Sequence, residues 1–235
     1  MSDDEIKQQI CQIGRRMYDS GFVAANDGNI TVKTAGNKII TTPTGVSKGF
    51  MTPEMLITVD GEGNVLAANS KWRPSSEVKM HLRVYQERPD VQAVVHAHPP
   101  YATAFAINGT PLNKPLMAEA VVSLGCVPVA GYATPSTSEV PESIAAYLEH
   151  FDAVLLANHG ALSWGEDLLT AYHKLESVEF YAKLTFLSTQ LGNPQLLSTT
   201  QIEQLYAIRE KQAMPGRHPG KLCNTTCDIK CSRNK

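Results

Sequence analysis

Three histidines and one glutamate have the types and spacing of a metal centre. His96 and His98, in VVHAHPP, are separated by one residue and follow the apolar run VQAVV, so strand geometry directs both imidazoles to one face. His159, in LLANHGAL, follows a second apolar run and is also expected at a strand end. Three neutral imidazoles with an exchangeable fourth position are typical of catalytic zinc, because structural zinc sites are usually closed. The alternative is that each histidine is an ordinary hydrogen-bonded strand-end residue.

Glu77, in RPSSEVKMH, brings a carboxylate to this group of candidates. Its simpler role is that of an acid at a helix start, where it stabilises the helix dipole. Its functional role would be proton transfer at a carbon next to a metal-polarised carbonyl. His81 lies four residues later and faces the same side of the helix, and we expect it to form a hydrogen bond in the core.

Three segments have the composition of anion-binding turns. Gly28-Asn29 and Thr44-Gly45 offer free backbone amides where glycine allows close approach. Ser75-Ser76 is predicted to open a helix as its cap, where unpaired amides favour a phosphate or carboxylate. Each segment alone is more typical of an ordinary turn or helix cap than of an anion site. Because Glu77 directly follows the third segment, it is placed to reach a substrate that the anion tethers.

Composition excludes several classes of protein. The 235-residue chain is 43% hydrophobic and 19% charged with a net charge of -2, which is typical of a globular domain rather than of disorder. This charge indicates no nucleic acid and no acidic membrane as partner, and no apolar run is long enough to span a bilayer. The sequence contains no P-loop or G-x-G-x-x-G, which argues against a nucleotide site. The acidic start MSDDEIKQQI is typical of a helix rather than a signal peptide, so we expect a cytoplasmic protein.

Hairpins early in the chain and strand–helix alternation later predict an α/β fold in one domain. Strands are expected at 30–33, 38–42, 57–59, 64–67, 91–98, 126–132 and 152–160, and helices at 6–17, 75–88, 100–108, 140–151 and 165–192. This order indicates a central, largely antiparallel or mixed sheet covered by helices. We expect the domain to occupy residues 1–210. Residues 211–235 are predicted to be a flexible tail that carries Cys223, Cys227 and Cys231, whose spacing fits no common metal motif.

Five motifs in order resemble the class II aldolase/adducin family, and within it the L-fuculose-1-phosphate aldolase group. They are GN at 28–29, TPTG at 42–45, SSE at 75–77, HAH at 96–98 and NHG at 158–160. The likeness extends from about residue 5 to 190. It implies a three-layer α/β/α fold around a largely antiparallel sheet and a homotetramer with active sites between subunits.

The same resemblance implies roles for individual residues. Zinc, or in its place manganese or cobalt, would be held by His96, His98 and His159, with Glu77 completing the shell and then acting as general acid/base. The phosphate of dihydroxyacetone phosphate would be held by the remaining matched residues, namely Gly28, Asn29, Thr44, Gly45, Ser75 and Ser76. The implied reaction is metal-dependent retro-aldol cleavage of a small ketose 1-phosphate to dihydroxyacetone phosphate and an aldehyde. The metal would replace the Schiff-base lysine that other aldolases use.

The chain also departs from the fuculose aldolase pattern. The stretch KPLMAEAVVSLG lacks the tyrosine that reaches a neighbouring subunit's site in that group, and Glu119 is the ionisable residue in its middle. Tyr206 is the candidate for a second, carboxy-terminal tyrosine. Relatives on the same scaffold leave other functions open: L-ribulose-5-phosphate 4-epimerase, methylthioribulose-1-phosphate dehydratase, decarboxylation, or an adducin-like interaction domain. The retained histidines and glutamate argue against the last of these.

Overall fold

One mixed eight-stranded sheet organises residues 1–220, the part of the chain described by a computed structural model. The strands are β1 Asn29–Lys33, β2 Ile39–Thr41, β3 Ile57–Val59, β4 Val65–Ala67, β5 Ala93–Ala97, β6 Val129–Ala130, β7 Ala153–Leu156 and β8 Gly160–Gly165. The strand order is β4-β3-β2-β1-β5-β8-β7-β6, in which β6 and β7 are parallel and the other pairs antiparallel. The predicted mixed, largely antiparallel sheet is confirmed.

Helices cover both faces of this sheet. They are α1 Asp3–Asp19, α2 Val78–Glu87, α3 Pro100–Ile107, α4 Ala118–Ser123, α5 Glu139–Ala145, α6 Leu168–Gln190 and α7 Thr199–Lys211. In β5, Val95 packs in the core that contains α1, α3 and α6, whereas Val94 packs in the core that contains α2 and α5. This alternation confirms the three-layer α/β/α prediction and places His96, two residues from Val94, on the side of α2.

The start of α2 differs from the prediction. The helix begins at Val78 with Glu77 at the N-cap and no side-chain capping bond, so the assignment of Ser75 or Ser76 as the cap was wrong. Ser75 is engaged elsewhere, because its hydroxyl accepts from the amide of Asn29 at 3.1 Å and from the backbone N–H of Glu77 at 3.3 Å. A contact with Asn29 at the start of β1 therefore takes the place of a helix cap.

Three elements were absent from the sequence-based prediction. Residues 161–164 were assigned to the link between a strand and the long helix, but they belong to β8, which pairs with β5 on one side and β7 on the other. The long helix starts later, where the side chain of Asp167 accepts from the N–H of Thr170. The other two elements are α4 and α7.

The loop that leaves the HAH motif is fixed by a buried acid on α6. Glu179 is 8% exposed, and its carboxylate accepts from the backbone N–H groups of Tyr101 at 3.0 Å and Ala102 at 2.8 Å. These are first-turn amides of α3, which have no partner within the helix. Glu179 thus caps α3 from a neighbouring helix and holds the chain directly after His98.

Contacts with the domain continue past residue 210. Arg209 donates to the carbonyls of Val122 and Pro215. His218 donates from Nε2 to the carbonyl of Val121 at 2.7 Å and accepts at Nδ1 from the N–H of Gly220. The remainder of the predicted tail, with Cys223, Cys227 and Cys231, lies outside the described residues. Within residues 1–220, none of the helices combines the length and apolar character needed to cross a bilayer.

Candidate metal and anion site

The three histidines of the sequence motifs lie close together at one end of the central strands. His96 lies in β5, His98 directly follows that strand, and His159 lies in the tight turn between β7 and β8. One ring nitrogen from each comes within 4.8 Å of the other two. Asn158, with a φ of 56°, makes the left-handed bend of that turn. Antiparallel pairing of β5 with β8 therefore brings together residues that are far apart in sequence.

Gly160 explains why the third motif is NHG. A Cβ at this position would lie 2.5 Å from the carbonyl oxygen of Ala97 and 2.6 Å from Cδ2 of His98. The backbone of β8 approaches the end of β5 too closely for any side chain. This close approach sets His98 beside His159.

The outer nitrogens of two histidines are held by acceptors. Nδ1 of His96 is 2.9 Å from the carbonyl oxygen of Ala161, and Nδ1 of His98 is 3.2 Å from a carboxylate oxygen of Asp27. Since both partners only accept, each Nδ1 carries the proton and each Nε2 presents a lone pair. The two Nε2 atoms are 3.2 Å apart. Two lone pairs directed at one point fit a bound cation, and the three-imidazole set suits zinc.

Glu77 completes the group. Its Oε1 is 3.0 Å from Nε2 of His159 and its Oε2 is 3.5 Å from Nε2 of His96. Burial opposes ionisation of this carboxyl, but the adjacent His96 and His159 outweigh burial and lower its pKa. Burial lowers the pKa of His96 to about 3 and that of His98 below its ordinary value. Neutral imidazoles and an ionised carboxylate are the forms that bind a metal.

A cavity of about 240 Å³ opens beside this group. Four of the residues predicted to bind phosphate line it, together with the metal candidates Glu77, His98 and His159: Gly28, Thr44, Ser75 and Ser76. Asn29 is buried, and its amide donates to Ser75 Oγ and to Glu77 Oε2, each at 3.1 Å. Gly45 follows Thr44 with a φ of 73° and is not among the lining residues. The cavity therefore brings the hydroxyls of Thr44, Ser75 and Ser76 together with Glu77 and the imidazoles of His98 and His159.

Lys48 is a residue of this region that sequence reasoning missed. Its side chain is 1% exposed, and Nζ donates to the carbonyls of Asn26 at 3.0 Å and Val46 at 2.8 Å. Burial lowers the pKa of this amine to about 8, against the opposing charges of Asp27 and Glu77. Lys48 thus connects the loop that carries Gly28 to the loop that carries Thr44.

Other cavity residues were also missed: Asn26, Asp27, Pro43 and Ser136. Asp27 directly precedes the Gly28-Asn29 motif, so its position was a usable signal. The loop of Ser136 carries no comparable pattern. His81, expected to form a hydrogen bond in the core, is fully buried with Nδ1 2.9 Å from Thr31 Oγ1, which confirms that prediction.

The two residues considered in place of the family's tyrosines lie elsewhere. Glu119 lines a separate cavity of about 340 Å³ beside Phe180 and Tyr181 of α6. The hydroxyl of Tyr206 donates to the carbonyl of Gly220 at 3.0 Å. Neither lines the cavity that contains Glu77.

Comparison with known families agrees with this arrangement. A model of the Class II Aldolase and Adducin N-terminal domain matches residues 8–186. The chain belongs to the class II aldolase and adducin family. Class II aldolases generally depend on a metal, and the three-histidine group described above could hold one.

Individual members of this family extend the likeness to nearly their whole length. The chain is 34% identical over 209 residues to 3-oxo-tetronate 4-phosphate decarboxylase of Haemophilus influenzae, covering 87% of this chain and 98% of that relative. It is 35% identical over 184 residues to L-fuculose phosphate aldolase of Methanococcus maripaludis, covering 78% and 96%. A solved structure of L-fuculose 1-phosphate aldolase superposes with a TM-score of 0.82 at 32% identity, covering 91% and 99%. The family and its fold are therefore shown, while the named activities of the relatives differ.

Proposed function

We propose that this family member is a zinc-dependent aldolase. Its substrate would be a small ketose 1-phosphate similar to L-fuculose 1-phosphate, which it would cleave to dihydroxyacetone phosphate and an aldehyde. The observation that carries the proposal is the position of Glu77, 3.0 Å from His159 and on the wall of the cavity that Ser75 and Ser76 also line. The names of the fuculose phosphate aldolase relatives support the same substrate class.

The metal ligands in this proposal are His96, His98 and His159, with Glu77 as a fourth that can leave. Zinc held there supplies a Lewis acid that polarises the substrate carbonyl, so no Schiff-base lysine is required. Manganese or cobalt suits the same donors. The hydrogen bonds that Nδ1 of His96 and Nδ1 of His98 donate to Ala161 and Asp27 fix the imidazole tautomers in advance.

In this proposal, some residues of the cavity bind the phosphate and Glu77 transfers a proton. Thr44, Ser75 and Ser76 donate hydroxyl hydrogen bonds to the phosphate, and the backbone of Gly28 allows it to approach closely. Glu77 returns a proton to C3 of the three-carbon fragment when the C3–C4 bond has broken, and removes that proton in the reverse direction. Asn29 bonds to both Ser75 and Glu77, so it sets the position of the acid relative to the phosphate.

A panel of aldehydes tests the proposal directly. Zinc-loaded protein is incubated with dihydroxyacetone phosphate and each aldehyde, and products are identified by mass. We expect a new carbon–carbon bond with at least one aldehyde. The aldolase assignment is wrong if no such bond forms with any aldehyde while ketopentose 5-phosphates epimerise or methylthioribulose 1-phosphate loses water.

A matched variant isolates the role of Glu77. Glu77→Gln keeps the size and shape of the side chain, so zinc content measured by mass spectrometry should remain close to that of the wild type. Exchange of the C3 proton of dihydroxyacetone phosphate with deuterated water, followed by NMR, should be lost. Unchanged exchange in this variant would show that Glu77 does not transfer the proton. It would not contradict the proposed metal site.

A second candidate is decarboxylation of a 3-oxo acid phosphate. It is favoured by the Haemophilus relative, because this chain matches 98% of its length, and by the absence of the aldolase tyrosine from KPLMAEAVVSLG. A polarised carbonyl and a bound phosphate serve both reactions. Release of carbon dioxide from 3-oxo-tetronate 4-phosphate, without aldol products, would select this candidate.

We also propose that the protein is a cytoplasmic homotetramer with active sites between subunits. Support comes from apolar side chains that α6 leaves exposed, including Phe180 at 52% and Phe186 at 45%. Light scattering should give a mass of four 25.6 kDa chains. A monomer at working concentration would contradict this part of the proposal alone.

A further inference from the structure

The loop between β6 and α5 brings an unassigned hydroxyl to the cavity beside Glu77. Ser136 lines this cavity, and its Oγ lies 2.8 Å from Oγ of Ser76. The two serines are 60 positions apart in sequence. Ser136 therefore comes from a fourth segment, in addition to the two loops and the serine pair that the sequence motifs mark.

The backbone of Ser136 is unusual for a residue with a side chain. Its φ of 67° lies in the left-handed region, where the Cβ of an L-residue is disfavoured and glycine is not. The loop is braced around it, because Thr134 accepts at its carbonyl from the hydroxyl of Thr137 at 2.7 Å and donates its N–H to Glu139 at 3.0 Å. Folding alone would favour glycine here, and residues in such conformations often lie at functional sites.

The charges of the residues that line the cavity indicate why an additional hydroxyl would help to bind a phosphate. Among the described residues that line it, none is lysine or arginine, whereas Asp27 and Glu77 are both present. A bound phosphate must therefore rely on neutral donors around it. Ser76 and Ser136 are close enough to each other that one hydroxyl donates to the other, and both can rotate to donate to phosphate oxygens instead.

We propose that Ser136 is a phosphate-binding residue that acts together with Ser76 and increases selectivity for phosphorylated substrates. The proposal rests on the proposed function only in taking the ligand to be a phosphate ester. It does not depend on which bond the enzyme breaks. Each hydroxyl would contribute one hydrogen bond to a charged acceptor, the stronger class of hydrogen bond in proteins.

Two substitutions separate the hydroxyl from the backbone strain. Ser136→Gly removes both, whereas Ser136→Ala removes the hydroxyl and keeps the strained Cβ. Titration calorimetry with inorganic phosphate, on the full chain loaded with zinc, should show that both variants bind about tenfold more weakly than the wild type. Ser138→Ala is the matched control, because Ser138 lies two residues away, is exposed and forms no side-chain capping bond. It should bind phosphate like the wild type.

Thermal unfolding accompanies the titrations, and Ser136→Gly should unfold at or above the wild-type temperature. Weaker binding in that variant then reflects the lost hydroxyl and not damage to the fold. Wild-type affinity in Ser136→Gly, or weakening confined to Ser136→Ala, would overturn the assignment, as would a wild type that binds no phosphate. Weakened binding by both variants in a protein that forms no carbon–carbon bond would support Ser136 and reject the aldolase reaction.

Discussion

Lys48→Met removes a buried ammonium group and keeps a flexible apolar side chain in its place. Burial lowers the pKa of the Lys48 amine from 10.5 to about 8 in the folded protein. The unfolded chain binds this proton below pH 10.5, but the folded chain binds it only below about pH 8. The wild type therefore gains stability as pH rises between these values, and the shift corresponds to about 3 kcal/mol. Methionine has no such proton to bind.

Urea unfolding of both proteins at several values between pH 7.5 and pH 10.5 measures this effect. Because the other titrating groups are common to both proteins, they cancel in the difference between the two free energies of unfolding. This difference, wild type minus variant, should increase by about 3 kcal/mol across the range. Lys38→Met controls for the loss of an exposed lysine. A difference that does not change with pH would refute the argument that burial lowers the pKa of Lys48.

The same variant has a consequence for binding. Without Nζ, the carbonyls of Asn26 and Val46 lose the donor that connects their loops. These loops carry Gly28 and Thr44, which line the cavity beside Glu77. We therefore expect inorganic phosphate to bind roughly tenfold more weakly, as two lost hydrogen bonds would suggest. Unchanged phosphate affinity would confine Lys48 to a role in stability.

Three further changes test the framework around the site. Gly160→Ala would place a Cβ 2.6 Å from the His98 ring, so zinc retained after dialysis should fall well below the wild-type amount; equal retention would contradict the close-approach argument. Glu179→Ala leaves first-turn amides of α3 without an acceptor, and urea unfolding should show a loss of about 2–4 kcal/mol; a loss under about 1 kcal/mol would count against the capping role. Burial lowers the pKa of His218 from 6.5 to about 4, so the unfolded chain binds a proton in this range that the folded chain does not. The wild type should therefore lose about 1–2 kcal/mol relative to His218→Gln as pH falls from 6.5 to 4, with solvent screening allowed for, and parallel pH curves would refute this.

The sequence was sufficient to predict those elements whose formation depends on a local hydrophobic pattern. The apolar runs before His96 and His159 predicted two buried strands, and the alternation of side chains along β5 then placed His96 on the side of α2. A capping box was also available for α7, since Ser198 and Gln201 have the required spacing. That signal was overlooked rather than absent.

Sequence was insufficient where the deciding contact is distant. Strand β8 has glycine at both ends and forms because β5 and β7 pair with it. Ser75 fails to cap α2 because Asn29, 46 residues earlier, donates to its hydroxyl. Ser136 enters the cavity by the same kind of contact, across 60 residues. No local sequence pattern encodes these long-range contacts, because they depend on the topology of the whole sheet.

The position of the histidines at the end of a hydrogen-bonded ladder would link the affinity for a metal bound there to local opening of the protein. Ala97 and Ala161 form the last register pair between β5 and β8. His98 directly follows Ala97, and His159 lies two residues before Ala161. Fraying of this pair would separate the two imidazoles, so each opening event would also release the metal. Amide hydrogen exchange at the end of this ladder should consequently slow when zinc is added. The slowing should increase with the ratio of free zinc to its Kd.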